Sequence, residues 1–291
     1  MLALSTDFTR MKSSHVEECP DLGDSCSSAT PPRPYNHNLV NYAYGLTLDA
    51  QYGVLPWLTV AATIPYRALT TDVRYTDLEA REVQPDPPDV HHRNRTLTGL
   101  GDPTLDVVVG RALGRFGFSV RVGAMLPVGR TLDANPFQLG RQGLAHEHVQ
   151  LGVGTVRPIA GGAIGYDFGA VGIDAFWLAT FAIADNSIGY RPGQRLSAGV
   201  RVSSALGTTN ARFGVGSEVS RETSESWRGE LAPEGNLGRT DVLAALTARW
   251  SPFARVGFFG ALKVPVYVNA VGAQLSYPFV VQLGIAPGLP L

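Results

Sequence analysis

Between Tyr44 and Val54 the chain alternates one residue at a time. Tyr44, Leu46, Leu48, Ala50, Tyr52 and Val54 share one face, and Gly45, Thr47, Asp49, Gln51 and Gly53 share the other. A period of two is the signature of an extended strand. Leu55-Pro56-Trp57 interrupts it as a turn. Leu58, Val60, Ala62, Ile64 and Tyr66 then alternate with Thr59, Ala61, Thr63, Pro65 and Arg67. The two runs predict a hairpin with one greasy face and one small or polar face.

The pattern returns along the chain. From Phe116, the residues Phe118, Val120, Val122, Ala124, Leu126 and Val128 oppose Gly117, Ser119, Arg121, Gly123 and Gly129. From Val171, the residues Ile173, Ala175, Trp177, Ala179, Phe181 and Ile183 oppose Gly172, Asp174 and Thr180, with Phe176 and Leu178 blurring the second face. Leu196 to Ser203 and Val256 to Val268 alternate in the same way, and a last strand is read over 276–284 with Tyr277, Phe279, Val281 and Leu283 on one face. The stretch 149–168 reads as one long strand whose phase shifts near Pro158, so a bulge is expected there.

Connections have their own rhythm. Short turns fall near Leu55-Trp57, Leu113-Arg115, Gly169-Ala170, Gly207-Thr209 and Pro252-Phe253. Longer polar segments lie at 12–40, 77–98, 132–146, 186–194 and 226–238, with a short one near 269–273. Alternation of short and long connections is the habit of a transmembrane antiparallel up-and-down β-barrel, with short periplasmic turns and long extracellular loops. The expected fold is all-β, one barrel domain over 1–291 with about twelve strands and both termini at the short-turn end. Tyr52, Trp57, Phe116, Tyr166, Phe168, Trp250 and Phe253 all adjoin the short turns, where an interfacial aromatic girdle belongs.

Composition agrees. Charged residues make up 17% of the 291, and there are 33 glycines and 20 prolines, against roughly a quarter charged in soluble domains. No apolar run reaches the ~18 residues of a membrane-spanning helix. A net charge of −1 gives no general attraction to nucleic acid. The expected partners are membrane lipid and a small-molecule solute, with no cofactor. The expected location is the bacterial outer membrane, with an export signal removed, because none with a basic start and an apolar core opens the chain. Cys19 and Cys26 have six residues between them in a Pro/Ser/Asp-rich stretch, and in an oxidising compartment a disulfide is expected.

The second face of the strands carries the candidate chemistry. Its basic set is Arg67, Arg121, Arg201, Arg212, Arg249 and Lys263, and its acidic set is Asp49, Asp106, Asp174 and Glu218. So many charges in a dry interior would be costly, whereas a wet lumen accommodates them. Opposed charges on a pore wall set ion preference, and a slight basic excess favours anions. The competing reading is that they pair across strands and fill the lumen. On this assignment Val122 faces lipid, and Arg121→Ala leaves folding intact.

Motifs add a family. Leu46 to Arg67 (LTLDAQYGVLPWLTVAATIPYR), Thr98 to Asp102 (TGLGD), Leu126 to Gly129 (LPVG) and Gly161 to Phe168 (GGAIGYDF) occur in order. Together they resemble the MetA-pathway phenol-degradation family of outer-membrane transport proteins. The resemblance covers about the first 170 residues and implies passage of small, often apolar or aromatic, compounds.

Other motifs weigh less. Gly99-Leu100-Gly101-Asp102 lacks the Gly-Lys-Ser/Thr of a phosphate loop; it reads as a bend where loop meets strand, with Asp102 capping local amides. His15, His37, His91, His92, His146 and His148 are placed in loops or at a strand's start. His146 and His148 share a face if extended and, with Glu147 or with His91 and His92, could hold a metal, although solvated loop histidines are the commoner case. Rival classes remain. An outer-membrane protease or lipase would pair His146 or His148 with Asp133 or Asp89 at the rim, and an adhesive barrel would use the 12–40 loop.

Overall fold

The computed structural model describes residues 1–17, 35–84, 94–142, 144, 146–207, 210–233, 235–253, 256–272 and 275–287. Cys19, Cys26, Asp89, His91 and His92 lie outside them, and with them the expected disulfide. In chain order the elements are β1 (Leu2–Glu17), β2 (Tyr35–Leu55), β3 (Leu58–Thr76), β4 (Glu82–Val83), β5 (Arg95–Leu100), β6 (Thr104–Leu113), β7 (Phe116–Met125), helix α1 (Pro136–Arg141), β8 (Arg157–Asp167), β9 (Val171–Thr180), β10 (Tyr190–Arg191), β11 (Arg195–Ala205), β12 (Ala211–Glu222), β13 (Ser226–Trp227), β14 (Asn236–Phe253), β15 (Val256–Gly272) and β16 (Val280–Ala286).

The wall is a closed, twelve-stranded antiparallel barrel. β5 and β6 lie end to end against β3 and occupy one wall position. β4 is a two-residue addition above β3, and β10 and β13 pair with each other outside the wall. Closure comes from β1, which pairs with β2 on one side and with β16 on the other, from Leu4↔Ile285 to Thr9↔Val280. Following hydrogen-bonded partners once around returns to β1 about fifteen residues along the chain, which for twelve strands implies a tilt near 40° and a backbone radius of about 12 Å. Inward side chains then leave a bore on the order of 10 Å. Every backbone group at membrane depth can be paired this way without a free edge.

The two faces separate as the alternation requires. Outward positions are apolar and exposed: Val122 is 61% exposed, with Leu46, Ile64, Val107, Val215, Leu246 and Leu283 likewise open. Inward positions are small or polar, such as Ser5, Ala61 and Asp106. A contiguous apolar band around the whole circumference is untenable in water and suits lipid. The seven aromatics near the short turns are all exposed, and Tyr166 and Phe168 pack at 4.6 Å between ring centroids. Both described termini lie at this end.

Several boundaries differ from expectation. β1 runs to Glu17 and β2 starts at Tyr35, so the first hairpin stands taller than its apolar text, held by polar pairs such as Ser14–Asn38. His15 and His37 therefore sit in strands, paired with each other in register. No strand covers 149–156: β8 begins at Arg157, and its register against β7 runs through Pro158 without a bulge. The amide of Val153 is taken by Asp102 rather than by a ladder, and Gly154 has a φ of 73°. The bulges fall instead where β2 meets β3, and along β14–β15, where a shift at Val242/Leu243 turns Val268 to the face of Asp241. β16 starts only after Pro278, and Tyr277 turns its hydroxyl to Asp241.

Candidate functional site

Inward residues of nine wall strands, β6 to β9, β11, β12 and β14 to β16, border one cavity of about 630 Å³. Only the interior of a cylinder can be touched by so many strands. Its wall is mixed. Ser119, Asp174, Arg201, Glu218, Lys263 and Gln282 supply polar groups, and Phe176, Ala163, Ala245 and Ala261 supply apolar ones.

Most of the charged set is paired. Arg121 donates to Asp106 at 2.7 Å, Arg201 to Asp174 at 2.8 Å, and Lys263 to Glu218 at 2.6 Å. Arg67 donates to Asp7 at 2.7 Å, across β2. That pair passes directly over Gly45, in register with both partners; a Cβ there would overlap the guanidinium and the carboxylate, so only glycine lets β1 and β3 join hands over β2. Asp49 has no cation within ion-pair distance among the described residues, and accepts a bond from Thr63 at 2.6 Å. Asp7 escaped the sequence reading, although Ala3, Ser5, Asp7 and Thr9 alternate with Leu2, Leu4, Thr6 and Phe8.

Arg121 is more than a wall charge. Asp106 is 2% exposed, and its Oδ2 is buried with no hydrogen-bond partner among the described residues. Arg121 is its cationic cover, so the expectation that Arg121→Ala leaves folding intact does not survive the geometry.

The exception to pairing lies at the short-turn end. Arg212 and Arg249 face each other in register on β12 and β14. Arg212 donates to the Gly169 carbonyl at 2.8 Å and lies 3.6 Å from Asp167. Among the described residues Arg249 has no carboxylate within ion-pair distance. Together with Arg115 and Arg201 they border a cavity of about 270 Å³ whose acids are Asp167 and Asp174. Like charges directly opposite on neighbouring strands repel, so this end of the lumen is electropositive.

The long-loop end is organised differently. Asp102 is buried where β5 breaks into β6, and its carboxylate accepts the amides of Gly129 at 2.9 Å and Val153 at 2.8 Å. It does cap amides, though not local ones: they lie 27 and 51 residues on. The backbones of Gly129 and Gly152 cross against this carboxylate with no room for a Cβ on either. The two glycine motifs at 99–102 and 126–129 thus form one device, which ties the segment 126–156 to the inner face of β5. Arg95 and Glu147 form a second tie. Leu97, inward on β5, is buried beneath Leu132, His146 and Val149.

Three connections then pack together. Tyr190 and Trp227 meet at 4.8 Å between centroids, with Ala232 buried beside them and Leu132, Phe137, Val153 and Ile188 packed around. Asn186 braces the turn, accepting the amides of Ile188 and Tyr190 and donating to the Val153 carbonyl. Burial, with the Glu225 and Glu222 charges, pushes the Tyr190 phenol up, and burial likewise raises the Glu225 carboxyl that accepts its bond, against opposing hydrogen bonds from Asn236, Tyr190 and Trp227. The sequence shows these segments as polar loops, and nothing in their periodicity announces a cap. A further inward cluster, Arg239 with Asp241 at 2.6 Å and Tyr277, was also missed, because its residues straddle expected loop boundaries.

The rim histidine does not form a hydrolase pair with Asp133. His146 places Nδ1 at 2.8 Å from the Leu144 carbonyl and Nε2 at 3.1 Å from His148.

No family model matches the chain, and neither does any curated protein. Among solved structures, the chain is similar to the COG4313 outer membrane channel from Pseudomonas putida F1, with a TM-score of 0.62 and 12% identity over 98% of this chain and 95% of that one. The transport unit of the autotransporter AIDA-I from Escherichia coli follows at a TM-score of 0.44, with 8% identity over 99% and 90%. The CymD monoaromatic hydrocarbon channel stands at 0.40, with 8% identity over 100% and 89%. At these identities the first likeness speaks for the fold, and the other two are too distant to add to it.

Proposed function

We propose that this protein is an outer-membrane channel that passes small molecules without a cofactor, through a lumen that favours anions at its short-turn end. The observation that carries this reading is the lumen itself: a cavity of about 630 Å³ bordered by nine strands, lined by charge and by an aromatic ring together. Wall charges that are already paired leave little net field at mid-barrel. The opposed Arg212 and Arg249, with Arg115 nearby, leave a positive field where a solute would exit.

The solute class follows from two supports. Phe176 and Leu178 are inward on β9, and the ring of Phe176 lies over Gly199, where a Cβ would collide with it. The four motifs resemble a family tied to phenol degradation, and the similar barrel from Pseudomonas putida F1 is called an outer membrane channel. Small aromatic or apolar compounds bearing an anionic group fit such a wall best.

The test is single-channel recording of refolded protein in a planar bilayer under a salt gradient. Discrete openings with an anion-selective reversal potential are expected, and Arg249→Ala brings that potential toward zero. A protein that is folded by circular dichroism and electrically silent refutes the open channel and moves the enzyme and adhesive readings ahead of it.

A further inference from the structure

We propose that His146 and His148 form a two-imidazole site for a late first-row divalent metal ion, of the kind of Cu²⁺ or Zn²⁺, on the segment that caps the long-loop end. The inference is independent of what the barrel conducts.

The geometry suits a metal-binding pair. The two Nε2 atoms face each other at 3.1 Å, with ring planes at 76°. Two metal–nitrogen bonds of about 2.0–2.1 Å, meeting at roughly 90–110°, separate their nitrogens by about 2.8–3.4 Å. An ion can therefore enter between the rings with little movement of either.

The surroundings hold that geometry in place. His146 is buried, and its Nδ1 lies 2.8 Å from the Leu144 carbonyl. Nδ1–H donates there, which fixes the tautomer and leaves the Nε2 lone pair aimed at His148. A backbone carbonyl on the far nitrogen is the usual outer support of a metal-bound imidazole. On the other side Phe137 packs against the His148 ring at 5.4 Å between centroids. Between the two histidines, Glu147 is held by Arg95 of β5. That ion pair anchors the backbone between the two imidazoles, whose Nε2 atoms meet.

Without metal, the contact is one hydrogen bond: the His146 Nε2 lone pair accepts, so His148 donates from Nε2. With metal, His148 carries its proton on Nδ1 and both Nε2 lone pairs bind the ion, so no net proton is released. Among the described residues no set of three His, Cys, Asp or Glu gathers around one point. The neutral imidazole pair selects for copper, nickel or zinc over calcium or magnesium.

The test uses the full chain, refolded in detergent and stripped with chelator. Cu²⁺ alone is titrated by calorimetry, and electron paramagnetic resonance is recorded at one equivalent. We expect one equivalent bound at a site whose spectrum shows coupling to two imidazole nitrogens. His148→Gln and His146→Ala should each weaken binding at least ten-fold and remove one nitrogen from the spectrum. His146 is packed, so His148→Gln, on the partly exposed ring, keeps the test valid if His146→Ala disturbs the cap. Undiminished affinity in His148→Gln, or no bound equivalent in the folded wild type, overturns the proposal.

Discussion

Truncating Arg121 tests whether a lumen charge can be structural. The Arg121 guanidinium lies 2.7 Å from Asp106, whose side chain has no exposed surface, while Arg121 itself is about a third exposed to the lumen. Removing one partner of a buried pair leaves an uncompensated charge, at roughly 3–5 kcal/mol when water cannot reach it. Here the departing side chain opens a path from the lumen, so part of that cost is relieved. Arg121→Ala should cost about 2–3 kcal/mol. Arg67 provides the control. Its pair with Asp7 has the same 2.7 Å spacing, but both side chains are more than a third exposed. Such a pair is worth at most about 1 kcal/mol, so Arg67→Ala should shift unfolding far less. A third variant separates charge from packing: adding Asp106→Asn to Arg121→Ala removes the stranded carboxylate and should restore most of the loss. The assay is reversible urea unfolding from lipid vesicles, followed by tryptophan fluorescence and by the heat-dependent gel mobility of folded barrels. Equal losses for Arg121→Ala and Arg67→Ala, or a double variant no more stable than Arg121→Ala, would refute the reasoning.

Four further outcomes follow from the same geometry. Val122, next in sequence to Arg121 and outward, should tolerate charge badly: Val122→Arg costs about 2–4 kcal/mol near the bilayer midplane, read by the same unfolding assay. Asp102→Ala removes two charge-assisted bonds, each worth about 1.5–3 kcal/mol; because both tie the segment 126–156, the expected result is faster hydrogen exchange and proteolysis of that segment with the barrel still folded. The Glu225 carboxyl is raised by burial, so its contribution to the cap is fully present below its ordinary value of 4.5 and is lost as pH rises through the raised one. Hydrogen exchange in 181–194 and 223–235, corrected for intrinsic rates, should therefore show more opening with rising pH, and Glu225→Gln should flatten that dependence. Anion selectivity should fall steeply between 0.1 and 1 M salt, since screening shortens from about 10 Å to about 3 Å over that range, and a selectivity indifferent to salt would remove the arginines from the explanation.

What could be read from the sequence divides along a physical line. Alternation is a local property, so strands with a continuous lipid face were legible where it ran unbroken, as from Leu46 on β2 and from Phe116 on β7. The rhythm of short and long connections placed both ends of the barrel. Face assignment also reached the charged residues, because an inward position is fixed by its outward neighbours. Depth was not legible. The same alternation places Arg67 and Arg121 on one face, yet says nothing about which of them covers a buried acid. Contacts between distant segments were equally hidden. Gly101-Asp102 reads as a bend, and only the folded chain shows its carboxylate reaching Gly129 and Val153. Where polar residues continue a ladder above the membrane, as at His15 and His37, the apolar signal stops and the strand does not. Tyr277 fails for the opposite reason: it keeps the apolar phase, but Pro278 breaks the strand and frees the ring to turn inward.

The distribution of charge within the lumen carries its own argument. At mid-barrel each strong cation has an acid: Arg121 has Asp106, Arg201 has Asp174, and Lys263 has Glu218. Pairing of this kind lowers the self-energy of the wall and cancels its field over a few ångströms. At the short-turn end the chain does the reverse, setting Arg212 opposite Arg249 in register at a cost of about 0.2–1 kcal/mol relative to neutral neighbours. On the proposed reading, a solute crossing a bore on the order of 10 Å, comparable with the screening length in physiological salt, would stay within reach of the charge of those two side chains. Burial and pairing explain the first arrangement as wall structure. In the second, Arg212 is braced by the Gly169 carbonyl and Asp167 but Arg249 is left without an acid among the described residues, and a positive field concentrated at one mouth is the physical consequence.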